Sequence, residues 1–420
     1  EQALDEYTSL GDNFRGARGQ TLLSAGIAAA RNGELAEAAE LLGKAAEDLT
    51  AVGGDNAEVR GQTAEIEATM AFFASDLEQS ETLMTEAVKV KSDIYGQDHI
   101  ATVFPTTQLA VILASQNKLV PAIKQFDTAR KNVLNYINQT LADLPVRDQT
   151  AFLRIQDKRE LDRALSLSLR DAAGSSEHAM TAEWLVNVRN LPHELSARGS
   201  QIRRLLRKSA DVETYDRYRT ARERLATMPA GTADAAELSF REEEVQQLQQ
   251  QMQSALKSLP ADVQQQIASQ TSTFVDIDDV RKALQSDETL IEIARMRPLG
   301  FAPADVLKQN VAAFRPPEEY VAWIIPPLSG DGNPFDTQKE KIQVIRLGNA
   351  EHIDELVSQV LREMLQSFKT IGTEGHANAS QSALAASQPL ADAVWKPIQN
   401  ALNGRTKVIL SPDGELWRAP

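Results

Sequence analysis

The sequence predicts a mainly helical chain in three parts: stacked helix pairs (1–135), a helical connector (136–272) and an α/β segment that stops before its sheet is complete (273–420). Three observations carry this division. A 42-residue repeat runs through the front, helical spacing without that register fills the middle, and short β-branched runs alternate with helical stretches from Thr273 onward.

The repeat emerges when one stretch is laid over another. Leu35, Ala38, Leu42 and Ala45 recur as Leu77, Ser80, Met84 and Ala87, then as Leu119, Ala122, Phe126 and Ala129. Each copy pairs two helices. Neither can bury its apolar face alone, so neighbours are expected to stack into an α-solenoid, with an ordinary helical bundle as the alternative. Small residues fall where two helices must approach closely: Gly26, Ala68 and Ala110 on the first helix, and Ala38, Ser80 and Ala122 on the second. This pattern resembles tetratricopeptide repeats. The period is longer than their 34 residues, and the extra length sits at Gly53-Gly54-Asp55 and Gly96-Gln97-Asp98-His99. Long-helix repeats of the kinesin light chain type are similar, including the phrase from Tyr95 to His99. A stacked array presents its first helices as a groove for an extended peptide or a partner helix. By register, the candidate lining is Gln20, Leu23, Ile27, Gln62, Glu65, Thr69, Phe72, Thr107 and Val111, of which Ile27 and Phe72 also read as core.

In the connector, Arg147 to Leu169 and Ala179 to Arg198 carry apolar residues at helical spacing, with a break at Ala173-Gly174-Ser175-Ser176. Leu238, Val245, Met252 and Leu259 fall seven apart. Pro229 and Pro260 bound this seam too closely for a free-standing coiled coil, which favours a helical hairpin. A basic stretch holds Arg198, Arg203, Arg204, Arg207, Lys208, Arg217, Arg219, Arg222 and Arg224. It reads either as a solvated face neutralised by Asp211, Glu213, Asp216 and Glu223, or as a contact for an acidic partner or nucleic acid.

Beyond Thr273, Asp276 or Asp278 can cap a short helix through Leu284. Thr289 to Ala294, Tyr320 to Ile325, Ile342 to Leu347 and Lys407 to Leu410 read as strands, and Ala350 to Phe368 and Leu390 to Leu402 as helices. Val408 to Leu410 is apolar enough for a central strand, and it runs into the turn Pro412-Asp413-Gly414.

Composition narrows the chemistry. A net charge of −15 argues against general nucleic-acid affinity, and the absence of cysteine excludes disulfides, zinc-thiolate sites and a cysteine nucleophile within these residues. No apolar run approaches the roughly 20 residues that span a bilayer. A cytoplasmic location is therefore expected, although the chain opens on Glu1 and a targeting segment could precede it. Gly43-Lys44 lacks the Ser or Thr of a phosphate loop, and His193-Glu194 lacks the second histidine of a zinc peptidase. His352, Asp354 and Glu355 read as the polar start of a helix, and Asp276, Asp278 and Asp279 as capping residues. No cofactor or metal is expected.

The order of repeats, helical connector and α/β entry resembles the CHAT family, caspase-like domains associated with tetratricopeptide repeats. Asp287 to Ile293 is similar to that family's opening strand, and Arg346-Leu347-Gly348 to the turn before its first long helix. Trp395-Lys396-Pro397 and Val408 to Pro420 are similar to the helix and strand that lead to its Pro-Asp-Gly turn. The resemblance implies a histidine and a cysteine on strands after that turn. No catalytic position is therefore carried onto residues 1–420. Two function classes follow: the interaction and regulatory arm of a caspase-like cysteine peptidase, or a noncatalytic scaffold with a degenerate caspase-like domain. In both, a protein or peptide partner occupies the repeat groove.

Overall fold

The computed structural model describes residues 14–32, 34–53, 57–139, 152–189, 191, 204, 211–226, 235–258, 260–261, 274–310, 316–328 and 341–419. It is mainly helical, with paired helices at the front and a small mixed sheet later.

The front helices are α1 (Arg15–Asn32), α2 (Leu35–Gly53), α3 (Ala57–Phe73), α4 (Leu77–Tyr95), α5 (Val103–Ser115) and α6 (Leu119–Gln139). α1 packs on α2 and α3 on α4, while α2 against α3 and α4 against α5 join successive pairs. The 42-residue period is written into the backbone itself. Glu34 N–H donates to Ala29 O, Asp76 to Ala71 and Lys118 to Leu113, three chain reversals with the same bond one period apart. Each closes a helix end by satisfying a carbonyl that would otherwise be orphaned. Ser75 and Asn117, at equivalent places in two of these turns, both take positive φ (65° and 61°).

The small residues sit where the repeat requires them. Ala38, Ala68, Ser80, Ala110 and Ala122 are all buried, and Ser80 Oγ donates to Ala68 O at 2.8 Å. A Cβ at Gly26 would stand 2.7 Å from Leu42 Cγ, so the α1–α2 approach depends on its absence.

In the middle, a π-helical turn (Phe152–Asp157) leads into α7 (Lys158–Leu165) and a 3-10 turn (Ser166–Leu169), then α8 (Ser175–Arg189), α9 (Asp211–Ala226) and α10 (Ala235–Ser258). The expected break at Ala173 to Ser176 is the turn before α8, where Glu177 Oε2 accepts from Gly174 N at 2.8 Å. Contacts divide the chain into two compact units, one of residues 1–129, 161–186 and 275–420, the other of 130–160 and 187–274. Residues 136–272 thus contribute to both. Within the second unit α9 packs on α10, burying Tyr215, Tyr218, Ala221 and Leu248. There too the buried Arg130 pairs with Asp157 at 2.5 Å.

The sheet lies in the first unit, with strand order β3-β2-β1-β4. β1 (Glu288–Met296), β2 (Glu319–Ile325) and β3 (Gln343–Asn349) pair antiparallel, whereas β4 (Lys407–Ser411) runs parallel to β1. β1 and β2 are buried on both faces, which explains their nearly continuous apolar runs. On one face Ile291, Ile293, Ala322 and Ile324 pack with Ile353, Val357 and Val360 of α13 (Ala350–Leu390) and Ile398 of α14 (Lys396–Ala401). On the other, Trp323 is fully buried and its Nε1 donates to Thr181 Oγ1 of α8 at 3.0 Å.

α11 (Ile277–Ala283) is capped by Asp276, which accepts from Asp278 N, and α12 (Pro303–Asn310) lies in the connection between β1 and β2. α13 extends well past Phe368, where the sequence suggested an end. Gly375, with φ 81° and ψ 158°, breaks the run into two helices, a backbone state that glycine adopts at no Cβ cost. Pro389 supplies no amide hydrogen, and a π-helical turn (Ala391–Trp395) follows it before α14. β4 occupies an edge of the sheet, leaving Ile409 and Leu410 47% and 50% exposed.

Candidate interaction site

Eight of the nine residues suggested for partner binding fall into two groups. Gln20 is exposed on α1 and donates through Nε2 to Gln62 Oε1 on α3 at 3.0 Å, a side-chain bond between equivalent positions of successive repeats. Leu23 is half-buried against the cluster of Leu22, Leu42, Leu49 and Ile66. Thr69 is half-buried and bonds back to Glu65 O. Phe72, Thr107 and Val111, by contrast, are buried. Ile27 belongs to α1, but its side chain lies outside the described residues.

Glu65 is a perturbed acid on this face. It pairs with Lys91 Nζ at 2.7 Å, both side chains being mostly buried. Burial raises the Glu65 carboxyl above the usual carboxylate range, and the Lys91 pairing only partly opposes it. Asp48 behaves in the opposite way. Its two oxygens accept from Arg18 Nε and Nη2 at 2.5 and 2.6 Å, which holds it below its ordinary value despite partial burial.

A second cluster fixes the Pro412-Asp413-Gly414 turn against the sheet. Asp413 accepts from Arg295 N of β1 at 2.9 Å, and Glu415 N donates to Tyr320 Oη of β2 at 3.0 Å. Tyr320 in turn donates to Asp354 Oδ1 of α13 at 2.7 Å, while Arg295 bridges Glu318 and Asp354. Burial and the Asp354 carboxylate keep the Tyr320 hydroxyl protonated well above its ordinary range, so it remains a donor. Gly414 has φ +56°, and a Cβ there would run into Tyr320 Oη. The glycine of the turn is therefore required twice, by backbone conformation and by space. Asp354, read from sequence as part of a polar helix start, is a central member of this network. Arg295 and Tyr320 carried no sequence signal, because their roles depend on partners up to 118 residues away.

A cleft of about 410 Å³ opens where the connection after β1 meets the end of α5 and the 3-10 turn after α7. Its lining includes Ser115, Ser166, Arg170, Phe301, Asp305 and Arg346. Arg170 lies 5.5 Å above the Phe301 ring and donates to Asn117 Oδ1 at 3.3 Å; Arg346 pairs with Glu319 at 2.5 Å.

The remaining sequence candidates have structural roles. His99 Nδ1 accepts from Ala101 N, His178 Nδ1 lies 3.2 Å from Ile342 O, and His352 N donates to the capping Asn349. Arg204, Arg217 and Arg224 of the basic stretch are exposed, while Arg198, Arg203, Arg207, Lys208 and His193 lie outside the described residues. Among the described residues no group of three or more His, Asp or Glu could hold a metal ion, and no helix is long and apolar enough to cross a membrane.

Fold and site together define a helical protein of repeated pairs, one compact unit of which also contains a mixed four-stranded sheet. Comparison with protein-family models, curated proteins and solved structures gives no match.

Proposed function

We propose that residues 1–420 form the protein-interaction and regulatory arm of a caspase-like cysteine peptidase of the CHAT type. The observation that carries this reading is the pairing, in one compact unit, of 42-residue-periodic helix pairs with a sheet whose β4 runs into an anchored Pro-Asp-Gly turn. The pairs stack as a tetratricopeptide-like solenoid, and a peptide partner engages their first helices. Gln20, Leu23, Gln62, Glu65 and Thr69 face that partner, whereas Phe72, Thr107 and Val111 hold the helices together. The polar network around Arg295, Tyr320 and Asp413 fixes the direction in which the chain leaves β4, toward the strands on which the resemblance implies the catalytic His and Cys.

The product of the whole gene provides the test. A His-Gly phrase followed by a strand-end Cys, with peptide hydrolysis abolished by replacing that Cys, is the expected result. Absence of those residues, or hydrolysis that survives the replacement, rejects the peptidase and leaves the scaffold. Purified residues 1–420 should show no hydrolysis above background, because they hold no cysteine.

A further inference from the structure

The cleft of about 410 Å³ lies wholly within the first unit, where the connection leaving β1 meets the end of α5 and the turn after α7. Its walls are held by bonds of their own. Arg297 N donates to Asp162 Oδ2 at 3.2 Å, and Leu299 N to Ser166 Oγ at 2.9 Å, which tethers the connection to the helices beside it. Phe301 is buried edge-on against Phe126, with ring centroids 6.3 Å apart. Small-molecule sites are usually pre-formed and run from roughly 300 to 1,000 Å³, a range that includes this cleft.

Two guanidinium groups line it, and they differ in their pairing. Arg346 is committed to Glu319, which accepts from Nε at 2.7 Å and from Nη2 at 2.5 Å. Arg170 is half-buried above the Phe301 ring and uses one N–H on the neutral Asn117 amide, at a long 3.3 Å. Among the described residues it meets no carboxylate. A guanidinium has five N–H donors, so Arg170 keeps most of its donor capacity for something other than protein. Ser115, at the end of α5, is the second unsatisfied group. Ser24, Thr85 and Thr128 bond back to the carbonyl four residues earlier in their helices, whereas Ser115 Oγ is buried and finds no partner among the described residues. An unpaired buried hydroxyl is destabilising, and an acceptor placed in the cleft would relieve it.

Charge selects the class of ligand. Glu319 neutralises Arg346 and Asp305 adds a carboxylate at the exposed rim, so Arg170 is the one cation of the lining left to meet an anion. A single carboxylate matches a guanidinium in planar, two-point geometry. A doubly charged phosphate would bring excess negative charge beside Asp305. Leu169, Pro298 and Leu299 give the cleft apolar wall.

We propose that this cleft binds a small molecule carrying one carboxylate on an apolar body. Arg170 pairs with the carboxylate, Ser115 Oγ donates to it, and Leu169, Pro298 and Leu299 cover the rest. The site is separate from the first-helix face, since no residue of α1 or α3 lines it. It therefore stands whether or not the whole protein is a peptidase.

The test is calorimetric titration of the 1–420 chain with 3-phenylpropionate, compared with 3-phenylpropan-1-ol and inorganic phosphate. The carboxylate should bind saturably, and the alcohol and phosphate at least about tenfold more weakly, because each lacks the matched charge-assisted pair. Ser115→Ala removes a hydroxyl that has no protein partner, and it should weaken 3-phenylpropionate about threefold or more. Arg170→Gln should weaken it about tenfold or more. No saturable binding by the native chain, equal or tighter binding of the alcohol or phosphate, or unchanged affinity in either folded variant overturns the proposal. Arg170 also covers Phe301, so a variant that fails to fold is replaced by a measurement on the native chain. There 3-phenylpropionate should move the amide resonances of Arg170, Leu299 and Gly300, and shifts confined to other residues overturn the proposal.

Discussion

The helix pairs and the sheet solve the same problem of burying an apolar face by different routes. Between Glu34 and Lys118 the same backbone bonds recur one period apart, and each pair is closed by residues near it in sequence. The sheet uses contacts that occur once. Trp323 reaches Thr181 across 142 residues, and Arg295 N reaches Asp413 across 118. Repetition spreads packing over equivalent, individually modest contacts; a single sheet concentrates it in a few side chains.

The largest test of that contrast is Trp323→Ala. Loss of a fully buried indole on β2, with its bond to Thr181, should cost about 3–5 kcal/mol in urea unfolding. A cost below that of the helix-pair substitution that follows would show that the sheet does not depend on this contact. Ala68→Leu comes next. It forces a larger side chain into the site where Ser80 Oγ meets Ala68 O, and overpacking of this kind costs ~1–3 kcal/mol. Hydrogen exchange should quicken in α3 and α4 first, because these two helices meet at this contact. Uniform quickening that includes β1 and β2 would contradict the division of labour.

Asp413→Ala sharpens the comparison within the sheet. It leaves Arg295 N without its acceptor, at a cost of about 1–3 kcal/mol. Exchange should rise at residues 411–418 while the helix pairs remain unchanged.

The smallest effect is electrostatic. The Glu65 carboxyl has a folded-state pKa above its unfolded value near 4.5, so the folded chain holds that proton more tightly. Its contribution to stability is complete below the unfolded value and is lost as pH rises through the folded one. The native chain should therefore lose stability relative to Glu65→Gln as pH rises from about 4 toward neutrality. Asp48, held low by Arg18, has the opposite sign: its contribution is present above its unfolded value and lost as pH falls through the folded one. A constant difference between native chain and Glu65→Gln across that range would remove burial as the cause.

Sequence alone determined the repeat period, the small residues at the close helix contacts, the four strands and the choice of Asp276 or Asp278 as the cap of α11. All are local or periodic, and a helix or strand announces itself by which positions it must bury. Only the tertiary structure decided that β4 runs parallel to β1 while the other strands pair antiparallel, that Thr181 of α8 meets Trp323 on the second face of the sheet, and that Asp354 ties Arg295 to Tyr320. It also buried Phe72, Thr107 and Val111 while leaving Gln20 exposed, although register alone placed all four on one surface. The reason is physical. A periodic pattern specifies which side of a helix is apolar, whereas the segment that covers that side is chosen by long-range packing, to which α12 contributes from a connection with no repeat of its own.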